Sequence, residues 1–396
     1  MAPISRLRSY SGPAIFSYGF RPFFLVGAIY AGLAVLIWLP VFFGEVRLPA
    51  AFSAADWHIH EMLYGYLPAV ITGFLLTAIP NWTGRLPIQG SPLAVLATVW
   101  AAGRLAVLLS SLLGPLAAGA IDLMFLLLIA AAAAREVIAG RNWRNLPPVG
   151  ILILLLGGNA AFHLEACEKG TAEVGTRLGI AAAIALVSLI GGRVIPSFTR
   201  NWLARENPGR LPVPFKPYDV GSLAVSTLAL LLWVAGPDWS GTALAMFTAG
   251  AAHTIRLARW AGDRTFGDRL VLILHIGYAF VPIGFILLGA AILFPQDVPV
   301  GAGIHAWTVG AIGVMTLAIM TRASLGHTGH RLHAGPLTQA IYAAVLVASL
   351  ARVYAAFRPD LAAILLPLAA SAWIGAFWAF ALGYGPLLIR PRENPR

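Results

Sequence analysis

The chain has 396 residues, of which 59% are hydrophobic and only 11% charged, whereas soluble domains carry about 25% charged residues. Stretches of roughly 18 or more apolar residues recur along it, each able to cross a hydrocarbon core of about 30 Å. This excludes a soluble globular protein and indicates a polytopic membrane protein. The net charge of +11 suggests nucleic acid only until the charges are placed along the chain.

In chain order, twelve helical spans are expected, at about 23–43, 60–80, 92–112, 115–134, 148–166, 176–197, 218–236, 241–260, 270–293, 302–324, 336–356 and 362–388. The expected fold class is all-α, a membrane helix bundle in one transmembrane domain spanning 1–396, because no loop is long enough for a soluble domain. With the N-terminus inside, the outer side holds only Arg47, Lys169, Arg177 and Arg358, and most other arginines fall inside. Such a positive-inside bias places both termini in the cytoplasm and makes the lipid bilayer, not nucleic acid, the expected partner. The N-terminus lacks the order of a cleaved secretory signal. Cys167 is the single cysteine, which excludes an intrachain disulfide, a CxxCH haem attachment and a four-cysteine cluster.

The second span opens with "WHIHEM", residues 57–62. His58 and His60 are two apart, about 200° around a helix, so they cannot chelate one ion while both are helical. Either His58 belongs to a cap after Asp56, or the two rings serve different partners. Arg104 and Asp122 lie level on spans 3 and 4, as expected for a buried ion pair with a structural role. His163 on span 5 has Asn159 one turn before it, placed to orient its ring. His253 and His275 are level across the hairpin of spans 8 and 9, where they can hold a cofactor or simply hydrogen-bond each other or the backbone. His305 starts span 10, and His327, His330 and His333 follow it in an inner loop. Two histidine layers result, and the outer one (His58, His60, His163, His305) has the ligand type that haem iron and copper most often take.

Arginines at inner helix ends, Arg21, Arg85, Arg193, Arg200 and Arg322, have two uses, clamping haem propionates or facing lipid headgroups, and the inner surface favours the second. Spans 2, 6 and 10 each leave the membrane with Thr and Arg, in "AIPNWTGR", "GGRVIPSFTR" and "AIMTRASLG". That recurrence reads as three four-helix modules or as three interfacial anchors.

The blocks "WHIHEMLYGYLPAVITGFLLTAIPNWTGR", "GGRVIPSFTRNW", "HTIRLARW" with "LHIGYAF", and "HAWTVGAIGVMTLAIMTRASLGHTG" together resemble the NnrS family of bacterial inner-membrane proteins, over about residues 20–330. The resemblance implies twelve helices, haem b and copper, and a part in denitrification and protection from nitrosative stress. It carries over the histidines His58, His60, His163, His275, His305 and His327 as metal-site positions. A fold-level analogy to subunit I of haem–copper oxidases and nitric oxide reductases, where spans 2 and 10 grip a haem, makes His60 and His305 haem ligands with His58 or His163 at copper. The analogy is weakened because span 6 has no histidine.

Three functions are then open. In a redox enzyme of nitric oxide reductase type, Glu61 and Glu165 are the candidate proton donors, and His60, His305, His275 and His253 with Arg85, Arg193 and Arg322 hold the cofactor. A quinol or another external donor supplies electrons. A second possibility is a non-catalytic nitric oxide binder or shield. A third, ranked last, is a transporter, since paired inverted halves are not evident.

Overall fold

A computed structural model describes residues 10–392. Every regular element among them is helical. Twelve long helices run in order: α1 (Phe20–Phe42), α2 (Ala54–Thr83), α3 (Ser91–Leu108), α4 (Pro115–Ala139), α5 (Leu146–Lys169), α6 (Glu173–Glu206), α7 (Pro217–Ala235), α8 (Ser240–Ala258), α9 (Arg269–Leu293), α10 (Val300–Thr328), α11 (Pro336–Phe357) and α12 (Ala362–Ile389). All twelve expected spans have their helix. Eleven of these segments are long and apolar enough to cross a membrane, so the chain is a multi-pass membrane protein. The exception is α8, which is 19 residues long but carries His253, Arg256 and several threonines and glycines.

Local chemistry sets the helix ends. Proline stands in the first turn of α3, α4, α5, α7 and α11, where its missing N–H costs nothing and its fixed φ suits the helix. Gly84, at φ +70°, ends α2 in the left-handed conformation that glycine adopts without a Cβ penalty.

The chain divides into two compact units. The first comprises the chain through Gly179 with Ala323–Arg331 and the stretch from Phe380 onward; the second comprises Ile180–Arg322 with Leu332–Ala379. This twofold division neither follows nor requires modules of four helices. In the first unit α2 is enclosed by protein: 83% of its most apolar window is buried, against 44% for α1. Arg21 is also buried there, and its Nη1 donates to the carbonyl oxygens of Leu388 at 2.8 Å and Arg390 at 2.6 Å. It thereby satisfies carbonyls that the last turn of α12 cannot bond internally. In the second unit Trp307 packs edge-on to Trp233 and Phe285, with ring centroids 5.6 and 4.8 Å apart.

Candidate metal centre

The second helix is not α-helical throughout. Its first seven residues, Ala54–His60, are α; Glu61–Tyr66 form a π turn; and α geometry resumes at Leu67. An i→i+5 turn holds an extra residue, so neighbouring side chains diverge less than the ordinary 100°. His60 and Glu61, consecutive and both fully buried, therefore reach into one polar cluster. The carbonyl of Gly65 in this turn is taken up by the indole Nε1–H of Trp100 at 2.9 Å.

Five helices supply that cluster. His60 Nδ1 lies 2.9 Å from Glu61 Oε1, so the ring donates there to a carboxylate. Its Nε2 lies 3.0 Å from Asn159 Oδ1 and 3.2 Å from Asp122 Oδ2. His163 Nε2 lies 3.1 Å from the same Asp122 oxygen, which also accepts from Asn159 Nδ2 at 2.7 Å. Arg104 links the two carboxylates: Nη1 donates to both Glu61 oxygens at 2.8 Å, and Nη2 donates to Asp122 Oδ1. Tyr30 on α1 donates to Glu61 Oε2. Phe52 closes the assembly from one side, its ring centroid 5.2 Å from that of His60 and 5.3 Å from that of His163. Phe162 lies 5.2 Å from the His60 ring.

One potential ligand atom from each of His60, Asp122 and His163 lies within 4.8 Å of the other two. Two imidazole nitrogens and one carboxylate oxygen form a donor set that suits copper, zinc or iron better than calcium or magnesium. The Glu61 contact behind His60 is the kind of reverse-side carboxylate that fixes the tautomer of a metal-ligating histidine. Charge points the same way. Two buried carboxylates face one guanidinium, and balance in a low-dielectric interior calls for one more cation, a proton or a metal ion. The residues fit a transition metal.

Residues 14–392 match the NnrS protein family. The chain belongs to that family. The match continues through α11 and α12, past the motif blocks that end near residue 330. No curated protein matches the chain.

In this NnrS family member several expected site residues lie elsewhere than the sequence suggested. His58 is inside the α-helical turn, capped by Ser53, so it does not belong to the cap. Its ring stacks on Trp38 at 4.1 Å and 25°, away from His60, as the 200° separation requires. Asn159 bonds His60 and Asp122, not His163 as its position one turn earlier suggested, because α5 turns its amide toward α2 and α4. The Arg104–Asp122 pair exists as expected, and Asp122 also contacts His60 and His163. Arg104, Asp122 and Tyr30 are the members that sequence reasoning did not assign to a site. The level placement of Arg104 with Asp122 inside apolar spans was the signal for those two, whereas Tyr30 carried none.

Glu165 accepts the Gly175 amide at 2.8 Å and lies 3.6 Å from Lys169, bracing the turn into α6. Arg85 pairs with Glu136 at 2.5 Å, Arg322 stacks over Phe198 at 4.1 Å, and Arg193 is exposed on α6. His327 is inside the last turn of α10 and not in a loop, and its ring lies 5.7 Å from Tyr18 and 5.4 Å from Phe20.

In the second unit His253 and His275 do not bond each other. Arg256 Nη1 donates to the Tyr278 hydroxyl at 2.9 Å, and that hydroxyl lies 2.8 Å from His253 Nδ1. With the tyrosine proton directed to Nδ1, His253 presents Nε2–H, a donor. His275 has the opposite polarity. Thr199 spends its proton on the Ile195 carbonyl, so His275 Nε2–H donates to Thr199 Oγ1 at 2.8 Å, and the buried Nδ1, without a partner, carries the lone pair a metal needs. His305 ends the first α turn of α10, immediately before a second π segment, Ala306–Gly313. Its Nδ1 lies 2.7 Å from the Gly301 carbonyl oxygen, which sets the lone pair on Nε2. Each unit thus has one histidine at the threshold of a π segment, a backbone irregularity frequent at functional sites.

Proposed function

We propose that this chain is a haem- and copper-binding membrane protein that captures and removes nitric oxide, with copper held by His60, His163 and Asp122. The observation that carries the proposal is the convergence of two imidazoles and a carboxylate in a buried cluster beside the protein-enclosed helix α2, where an ionisable group is costly unless it has work to do. Family membership supports the metals and the ligand. His305 and His275, at opposite ends of the second unit's helices, are each a candidate ligand for haem b, at separate sites. The positive-inside charge pattern supports a bacterial inner-membrane location with cytoplasmic termini.

Bound copper would supply a redox-active ion able to take nitric oxide as a ligand. The chain's own residues do the rest. Glu61 orients His60, Arg104 holds Glu61 and Asp122 apart at a fixed spacing, and Phe52 and Phe162 keep water from the imidazoles. Nitric oxide is small and apolar and reaches such a centre through the bilayer. Turnover needs an external electron donor, and a quinol is the class that arrives by the same route.

One observation favours capture without turnover. Both oxygens of Glu61 already accept hydrogen bonds from Arg104, and the side chain also receives Tyr30 and His60, which leaves it poorly placed to deliver protons. The two modes separate on stoichiometry. Reduced, metal-loaded protein that consumes many equivalents of nitric oxide, an activity lost in His60→Ala and His163→Ala, is an enzyme. Uptake that stops at one equivalent per metal indicates a binder. Nitric oxide handling unchanged by both substitutions would remove the centre from either role.

A further inference from the structure

Between α3 and α4, under the extended stretch that follows α2, the first unit has an open groove of about 1350 Å³. We propose that it seats one anionic glycerophospholipid, with a phosphodiester at Arg85 and Arg135 and an acyl chain along the α3–α4 trough. The inference is independent of the metal centre and of nitric oxide.

Chemistry at the polar end carries it. Glu136 is largely buried and pairs with both arginines, Arg85 through Nε at 2.5 Å and Arg135 through Nε at 2.9 Å and Nη2 at 2.8 Å. Their side chains are nevertheless 45% and 67% exposed. Glu136 therefore orders both guanidinium groups without engaging Arg85 Nη1 and Nη2 or Arg135 Nη1. Two cations and one anion sum to +1, which one phosphodiester neutralises, and the guanidinium fork matches its paired oxygens.

The trough supplies the apolar half. Leu128, Ala131, Ala132 and Arg135 follow one another on a single face of α4, opposite Val95 and Leu96 of α3. Ala131 is exposed and Ala132 half-buried, so small side chains leave a channel where larger ones would close it. Haem is a poorer occupant, because the residues lining the groove include no histidine, methionine, cysteine or tyrosine to hold its iron. The anion that Arg85 is placed to meet is lipid.

Delipidated full-length protein in neutral detergent, offered phosphatidylglycerol, phosphatidylcholine or soluble glycerol phosphate, tests this by native mass spectrometry. One phosphatidylglycerol is expected to stay bound, at least tenfold more tightly than phosphatidylcholine. The double variant Arg85→Gln/Arg135→Gln should lose that preference, whereas Arg358→Gln, at an exposed arginine paired with Asp360, should keep it. Ala131→Leu/Ala132→Leu fills the trough with both arginines intact and should also release the lipid, so the test survives if the charge variant does not fold. Equal retention of the two lipids by the wild-type chain overturns the proposal, as does undiminished phosphatidylglycerol binding in a folded variant. Glycerol phosphate bound as tightly as the lipid would show that a free phosphoester, not a membrane lipid, is the ligand.

Discussion

Without the Arg104 guanidinium, Glu61 and Asp122 would be two carboxylates sharing a dry interior. Breaking a buried pair on one side costs about 3–5 kcal/mol, and here one side chain serves two partners. Arg104→Gln should therefore fall at the upper end of that range, seen as a large drop in the detergent-solubilised melting temperature. Arg104→Lys should recover only part of the loss, since a point charge cannot reproduce a fork that spans two carboxylates. Asn159 offers a gentler test. It bonds His60 and Asp122 without being charged, so Asn159→Leu should preserve the fold and weaken metal binding by about 10–100-fold, as loss of a ligand's supporting partner does. Competition against a chelator of known affinity checks this, and unchanged affinity would mean that the amide only packs. The histidines, and the depth match of Arg104 with Asp122, were legible in the sequence as polar residues inside apolar spans. Convergence of the two sets on one cluster was not, because pairing α2 with α4 and α5 depends on helix rotation that spacing alone does not fix.

At the level of elements, the π turn explains why consecutive residues serve one site, and Gly65 shows how closely it is packed. A Cβ on Gly65 would stand 2.5 Å from Arg104 Nη1 and 2.9 Å from Glu61 Oε2. Gly65→Ala should thus cost about 1–3 kcal/mol through overpacking and lower metal occupancy with it. Gly221 on α7 has nothing within 4 Å of an added Cβ, so Gly221→Ala should leave both stability and metal content in place. Equal effects of the two substitutions would show that helix propensity, not the close approach, governs Gly65. The spans themselves were readable from hydropathy. The π segments were not readable, because a one-residue insertion leaves the apolar pattern nearly unchanged. The polarity of α8 was visible as His253 and Arg256, and it follows from the buried pairing of Arg256 with Asp219 at 3.0 Å.

For the whole molecule, Arg21 joins residues 366 or more positions apart, tying the start of α1 to the end of α12. Arg21→Gln should cost about 1–3 kcal/mol, the scale for leaving buried acceptors unsatisfied. It should raise amide exchange in the last turns of α12 before anywhere else. Uniform protection across the chain would show that the cap adds nothing local. No sequence signal distinguished this arginine from those expected at headgroups, since a basic residue at a helix end satisfies either partner. The family was legible in the motif blocks, and the charge pattern that supports the topology comes from the same helix ends.

The central claim is that His60, His163 and Asp122 hold a transition metal inside the first unit. Metal analysis of purified protein, comparing wild type with His60→Ala, His163→Ala, Asp122→Asn and His58→Ala, tests it most directly. A stoichiometric transition metal in the wild type and in His58→Ala, lost from the other three while their helical content stays intact, is the expected result. Full metal content in all four variants, or none in the wild type after metal supplementation, would contradict it.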